Sequence, residues 1–217
     1  MKTLIIIPAY NEEKKIGGVI DQCLRYSPHV LAVNDGSSDA TLDAIRKTRA
    51  VCLDNEGNRG KGFCLKRGFD YAVKNGFDFI ITLDADGQHD PACIPLFVEA
   101  AQKGFDVIIG TRKKSGSTMP YVRRASNFLL SEVFSLLIGW PVMDTQSGYR
   151  GIRVEVLEGL ELVSDRYETE TELLMKLGRK KVRFGSVRIP VIYGDEKSSI
   201  SPVKDFFRFL RVLKYRK

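Results

Sequence analysis

Residues 81–91 read ITLDADGQHDP, an apolar run that ends in two carboxylates one residue apart, then a glycine, an amide, an imidazole and a proline. The apolar part reads as a strand, Phe79 to Leu83. Were the extended backbone to continue, Asp84 and Asp86 would point the same way, because strand side chains alternate with a period of two. Two like charges that close repel, so the pair calls for a cation or a shared proton. A solvated turn accounts for Gly87, and Asp90 with Pro91 supplies a helix cap and a proline at the first helical position. A turn alone does not call for two carboxylates at the edge of an apolar run. Oxygen donors with a single histidine and no cysteine suit Mg2+ or Mn2+, which keep some waters and bind substrate phosphates.

The same grammar recurs outward from this stretch. Apolar runs at Thr3–Pro8, Val30–Asn34, Ala50–Leu53 and Val107–Gly110 are each followed by a loop rich in Gly, Asp, Asn or Ser, with amphipathic segments between them. That alternation predicts an α/β fold with a mostly parallel central sheet flanked by helices. In such sheets ligands sit beyond the carboxyl ends of the strands. The chemistry is therefore expected in PAYNEE, NDGSSD, NEGNRGKG, DADGQHDP and GTRKKSG.

GNRGKG at 57–62 resembles a phosphate loop, but a Walker A loop needs GxxxxGK followed by Ser or Thr, and Gly62 is followed by Phe63. It is read as a turn that starts a helix at Phe63, with Lys61 near a nucleotide as the alternative. No GxGxxG follows the first strand, which argues against a dinucleotide site. In VNDGSSD the turn formers and the cap at Asp39 leave Asp35 over, at a strand's end where a carboxylate can accept hydrogen bonds from a base or ribose.

Composition bounds the rest. The 217 residues are 43% hydrophobic, enough for one core, which predicts a single domain over 1–200 and an appendage at 201–217. The net charge of +7 points to an anionic partner: nucleic acid, a phosphorylated small molecule or a membrane surface. Cys23, Cys52, Cys64 and Cys93 form no CxxC pair and read as reduced thiols in a cytoplasmic protein. MKTLIIIPAYNEE runs into Pro8 and charges instead of a cleavage site, so it reads as a strand and not a signal. Phe128–Met143 is broken by Ser131, Glu132, Ser135 and Gly139 and is too short to span a bilayer.

IPAYNEE, VNDGSSD, DADGQHDP, GTR and DTQSGYR, in that order and spacing, resemble family 2 glycosyltransferases, specifically the dolichol- or polyprenol-phosphate sugar transferases, over residues 3–195. The resemblance implies a GT-A fold, an inverting mechanism, and a GDP- or UDP-linked sugar donor bound with Mg2+ or Mn2+. It places Pro8, Tyr10, Glu12 and Asp35 at the base and ribose, and Asp84, Ala85, Asp86 and Gln88 at the diphosphate. Asp84, Asp86 and Gln88 would be the metal ligands. Asp86, Arg112 and Asp144 would form the catalytic set, and Arg112, Arg124, Ser147 and Arg150 would surround the acceptor. Where mannosyltransferase members carry basic residues around a G-x-S-K stretch, this chain has IYGDEKSSIS, whose single cation, Lys197, is assigned to the donor. Glu168 and Glu170 in YETETELLMKL either face the acceptor or are the acidic first turn of a helix.

A hydroxyl acceptor needs a general base, whereas a lipid monophosphate arrives ionised and needs only positioning. Phe206, Phe209, Leu210 and Leu213 lie at i, i+3, i+4 and i+7, opposite Lys204, Arg208 and Arg211, as in an interfacial anchor. The expectation is therefore a polyprenyl phosphate acceptor and a peripheral position on the cytoplasmic face of the membrane. Nucleic acid fits less well, because the basic residues cluster with apolar side chains instead of lining a groove with stacking aromatics. A family 2 transferase with a saccharide or protein hydroxyl acceptor, and a non-catalytic nucleotide- or nucleic-acid-binding module, stay as alternatives.

Overall fold

The computed structural model describes residues 1–112, 144, 147–166, 168–180, 182–190 and 192. The expectations for Arg124, for Phe128–Met143, for Lys197 and for 201–217 lie outside the described residues.

Five strands coincide with the apolar runs: β1 (Thr3–Ala9), β2 (Val30–Asn34), β3 (Val51–Asp54), β4 (Phe79–Thr82) and β5 (Val107–Arg112). Two more, β6 (Arg150–Arg153) and β7 (Phe184–Ile189), complete a seven-stranded sheet of order β3-β2-β1-β4-β6-β5-β7. β1 pairs in parallel with β2 and β4, β2 with β3, and β5 with β7, while β6 runs antiparallel between β4 and β5. The helices are α1 (Ile16–Cys23), α2 (Thr41–Arg46), α3 (Lys61–Lys74), α4 (Ile94–Gln102) and α5 (Glu168–Arg179).

β1 is buried along its whole length because both sheet faces are covered, and a strand buried on both faces needs a continuous apolar run instead of an alternating one. Leu4 and Ile6 join Leu65 and Phe69 of α3 and Leu173, Leu174 and Leu177 of α5. Ile5 and Ile7 join Ile16, Val19 and Ile20 of α1 and Phe97 of α4 on the other face. With Ile6 fully buried, its truncation to Ala is expected to cost about 2–5 kcal/mol.

The boundaries differ from the sequence reading in informative ways. β4 stops at Thr82, before Leu83, and α3 begins at Lys61 instead of Phe63. Asp90 caps as expected, accepting from the Ala92 N–H at 2.9 Å, but the turn it starts is a 3-10 turn, Pro91–Cys93, that leads into α4. Asp39 accepts from the Thr41 N–H at 3.0 Å at the head of α2. β6 has a functional consequence: it places Arg150 beside Thr82 of β4 and Ile109 of β5. An inserted antiparallel strand thus delivers the residues before Arg150 to the edge where the parallel strands end. All four cysteines are free. Among the described residues, no helix is long and apolar enough to cross a membrane.

Candidate active site

Because β4 ends at Thr82, alternation does not govern the two carboxylates. The Thr82 hydroxyl donates to the Gly148 carbonyl at 2.9 Å, and the chain then turns at Gly87, whose φ is +73°. Asp86 Oδ1 accepts from the Gln88 N–H at 2.9 Å, a side chain closing its own turn. The Asp84 N–H donates to His89 Nδ1 at 3.1 Å, and its carboxylate lies 2.5 Å from Lys61 Nζ. The shared orientation expected for Asp84 and Asp86 therefore rested on a strand that stops short of both.

Lys61 is the first residue of α3, on the loop that Asp35 organises. Asp35 is 3% exposed and accepts from the Asn55 amide and the Arg59 N–H, both at 2.9 Å, and from the Gly60 N–H at 2.8 Å. Its carboxylate thus shapes the GNRGKG loop from beneath. Lys61 also lies 3.3 Å from Glu170 Oε1 in the first turn of α5. Gly148 backs this cluster: a Cβ there would sit 2.7 Å from Asp84 Oδ2 and 2.8 Å from Lys61 Nζ.

Arg112, at the end of β5, binds Asp144 in a bidentate pair, Nε to Oδ2 at 2.7 Å and Nη2 to Oδ1 at 2.9 Å. That geometry fixes both groups together. Ser147 and Arg150 are each 1% exposed. Arg150 Nε donates to the Ser147 carbonyl at 2.8 Å and Nη1 to the Glu170 carbonyl at 2.9 Å, strapping the 147–150 segment to α5. Both shape the site from behind. Pro8 is buried within β1, whereas Tyr10 is 45% exposed at its end. The Glu12 N–H donates to Thr41 Oγ1 at 2.7 Å, and the Asn11 side chain accepts from the Ser38 N–H at 2.9 Å, joining the first two loops. Ala85 is buried, while Asp84, Asp86 and Gln88 are half-buried.

The family description Glycosyl transferase family 2 matches residues 4–160. The chain belongs to glycosyl transferase family 2. It is 31% identical over 213 residues to the UDP-N-acetylglucosamine–dolichyl-phosphate N-acetylglucosaminyltransferase of Methanococcus voltae, covering 87% of this chain and 85% of the relative. It is 28% identical over 214 residues to the polyprenol monophosphomannose synthase of Mycolicibacterium smegmatis, covering 92% and 80%. The fold is GT-A: glucosyl-3-phosphoglycerate synthase of Mycobacterium tuberculosis, crystallised with Mg2+ and UDP, superposes with a TM-score of 0.78 at 18% identity, covering 99% of this chain and 79% of that one.

The charges of this glycosyltransferase's site are mutually set. Burial would raise the Asp84 pKa, but the Lys61 ammonium outweighs it and holds the carboxyl at about 2. Burial opposes charge on Lys61, yet Asp84 and Glu170 raise its pKa above the ordinary lysine value. Burial lowers His89, with Asp84 pulling the other way and Lys61 and Arg112 among the groups around it, so the ring is neutral and its Nδ1 accepts from Asp84. Among the described residues, no three His, Cys, Asp or Glu side chains converge as a closed metal cage. The half-buried oxygen-bearing side chains of Asp84, Asp86 and Gln88 would suit a hard divalent ion that also took oxygens from water and a diphosphate.

The reading of the motifs named Asp84, Asp86, Arg112 and Asp144, which the fold gathers at the sheet's carboxyl end. Lys61 entered only as an alternative and Glu170 as one of two options, and Gly148 and His89 had no assigned role. Their shared signal was position: each stands in or beside a motif, but their contacts join segments far apart in the chain.

Proposed function

We propose that the enzyme moves a sugar from a GDP- or UDP-linked donor to a polyprenyl phosphate, with inversion, while bound peripherally to the cytoplasmic face of the membrane. One observation supports the choice of acceptor: two of the carboxylates at the site are held in ion pairs, Asp84 with Lys61 and Asp144 bidentate with Arg112. A carboxylate already paired with an ammonium or a guanidinium is a poor base for a hydroxyl. A phosphate monoester needs no base, only orientation and a stabilised leaving group. The names of relatives about 30% identical along most of their length point the same way.

In this reading Tyr10, Glu12 and the loop set by Asp35 receive the nucleoside, and Asp84, Ala85, Asp86 and Gln88 face its diphosphate. A divalent ion held by Asp86, Gln88 and Asp84 would supply Lewis-acid stabilisation of the departing diphosphate. Arg112, oriented by Asp144, faces the acceptor phosphate, and Ser147 and Arg150 hold the wall behind it. Lys197 and Arg124 are assigned from the sequence to the donor and the acceptor.

The test is a panel of labelled GDP- and UDP-sugars with polyprenyl phosphate and Mn2+ or Mg2+, partitioned between organic and aqueous phases. Label in the organic phase, released by mild acid, is the expected result. Label confined to water-soluble glycan, or no transfer with any donor, overturns the reading.

A further inference from the structure

We propose that Lys61 is a built-in counter-ion that keeps Asp84 from engaging a divalent cation until a nucleoside diphosphate arrives with one. The inference rests on the nucleotide-sugar reading above and adds an order of binding to it.

The ammonium is placed where a cation would otherwise neutralise the motif, 2.5 Å from Asp84 Oδ1 and 3.3 Å from Glu170 Oε1. It is not a surface lysine that happens to reach a carboxylate, since its side chain is 18% exposed. Asp35 pins the two residues before it through the N–H groups of Arg59 and Gly60. Behind it, a Cβ on Gly62 would sit 2.6 Å from Thr169 Cβ, so α3 and α5 meet closely and bring Glu170 to the lysine. Arg150 holds the Glu170 carbonyl at 2.9 Å. Gly148 closes the remaining side, where a Cβ would meet both Asp84 and Lys61. The pair is thus preassembled by three chain segments.

A preassembled pair has a chemical consequence. Lys61 repels a lone divalent cation at Asp84 and already satisfies one of the carboxylate oxygens. A nucleoside diphosphate changes the balance, because its oxygens offset the repulsion and accept hydrogen bonds from the same ammonium. Cation and nucleotide then bind as coupled ligands, each strengthening the other by the same factor.

The test measures Mn2+ bound to the full chain by electron paramagnetic resonance, first alone and then with UDP or GDP. Lys61→Met is expected to tighten nucleotide-free Mn2+ binding about tenfold, within the usual range of coupling between ligands, and to narrow the gap between the two conditions. Lys61→Arg should behave as the parent. Arg59→Met is the control for charge alone: it removes a cation from the same loop, where the guanidinium lies over the Phe63 ring at 4.4 Å, and should leave Mn2+ binding as it was. Asp84→Asn should leave nucleotide-free binding unchanged, since Lys61 already neutralises that carboxylate, and should weaken binding with UDP or GDP.

The proposal falls if folded Lys61→Met binds Mn2+ no tighter than the parent, or if Arg59→Met tightens it equally. Should Lys61→Met not fold, Asp84→Asn decides: weaker nucleotide-free binding overturns the counter-ion, and unchanged binding supports it. A parent that transfers sugar beside a Lys61→Met that binds Mn2+ like the parent removes this inference and leaves the proposed function standing. A parent in which neither UDP nor GDP raises Mn2+ uptake overturns both.

Discussion

Gly148→Ala adds one methyl at the point where Asp84, Lys61 and the 147–150 segment meet. The new Cβ would lie 2.7 and 2.9 Å from the two Asp84 carboxylate oxygens and 2.8 Å from Lys61 Nζ, where ordinary contact begins at 3.4 Å. The site is buried on the main-chain side, and Thr82 holds the Gly148 carbonyl at 2.9 Å, so the backbone has little freedom to retreat. The ion pair must give way instead. Overpacking of this kind costs about 1–3 kcal/mol. In a domain of this size each kcal/mol lowers Tm by about 2–4 °C. The displaced atoms belong to the proposed donor site, so the same strain is expected in kcat/KM, as a loss of about 10- to 100-fold at 1.4 kcal/mol per decade. Thermal unfolding with and without UDP, beside initial rates of label transfer to the organic phase, measures both. A variant with the parent's kcat/KM and the parent's Tm would show that Gly148 does not press on the pair, and the geometry argued for the site would be refuted.

Asp86→Asn should abolish metal-dependent transfer yet leave Tm within about 1–2 °C of the parent, because the carboxylate is half-buried at a turn and takes no part in the core; equal turnover would remove Asp86 from the site. Burial would raise the Glu172 pKa, but hydrogen bonds from Lys176, Ser164 and the Val163 N–H lower it overall. A depressed carboxyl contributes stability that is present above its unfolded pKa of about 4.3 and is lost as pH falls through the folded value. Glu172→Gln should therefore cost about 1–3 kcal/mol at pH 7 and far less at pH 3, and a difference that does not change with pH in denaturant titrations would contradict this. Burial pushes the Cys23 thiol to about 12, so it should resist alkylation at pH 8 until the protein unfolds. Truncation before Pro202 should weaken binding to anionic vesicles, at about 1 kcal/mol per cation for Lys204, Arg208, Arg211, Lys214, Arg216 and Lys217. High salt should mimic only part of that loss, since burial of Phe206, Phe209 and Leu213 is not screened; unchanged vesicle binding after truncation would place the contact elsewhere.

The parallel half of the sheet was legible because β1 to β5 are apolar runs followed by turn residues, a signal that is local in the chain. β6 and β7 were not: RGIR is short with a charge at each end, and FGSVRI mixes glycine, serine and arginine into its apolar pattern. Both are strands because neighbours distant in sequence supply their hydrogen bonds and bury Arg150. The site divides along the same line. Residue type and spacing singled out Asp84 and Asp86, since a turn alone does not call for two carboxylates at the edge of an apolar run, and the family resemblance added Arg112 and Asp144. That Asp84 faces Lys61, that Asp35 holds a loop from below, and that Glu170 turns toward the lysine depended on where β4 stops and on how closely α5 packs against α3. A chain's own pattern records which groups are available, but an ion pair forms between surfaces that only packing brings within a few ångströms, and its strength depends on the burial that the same packing creates.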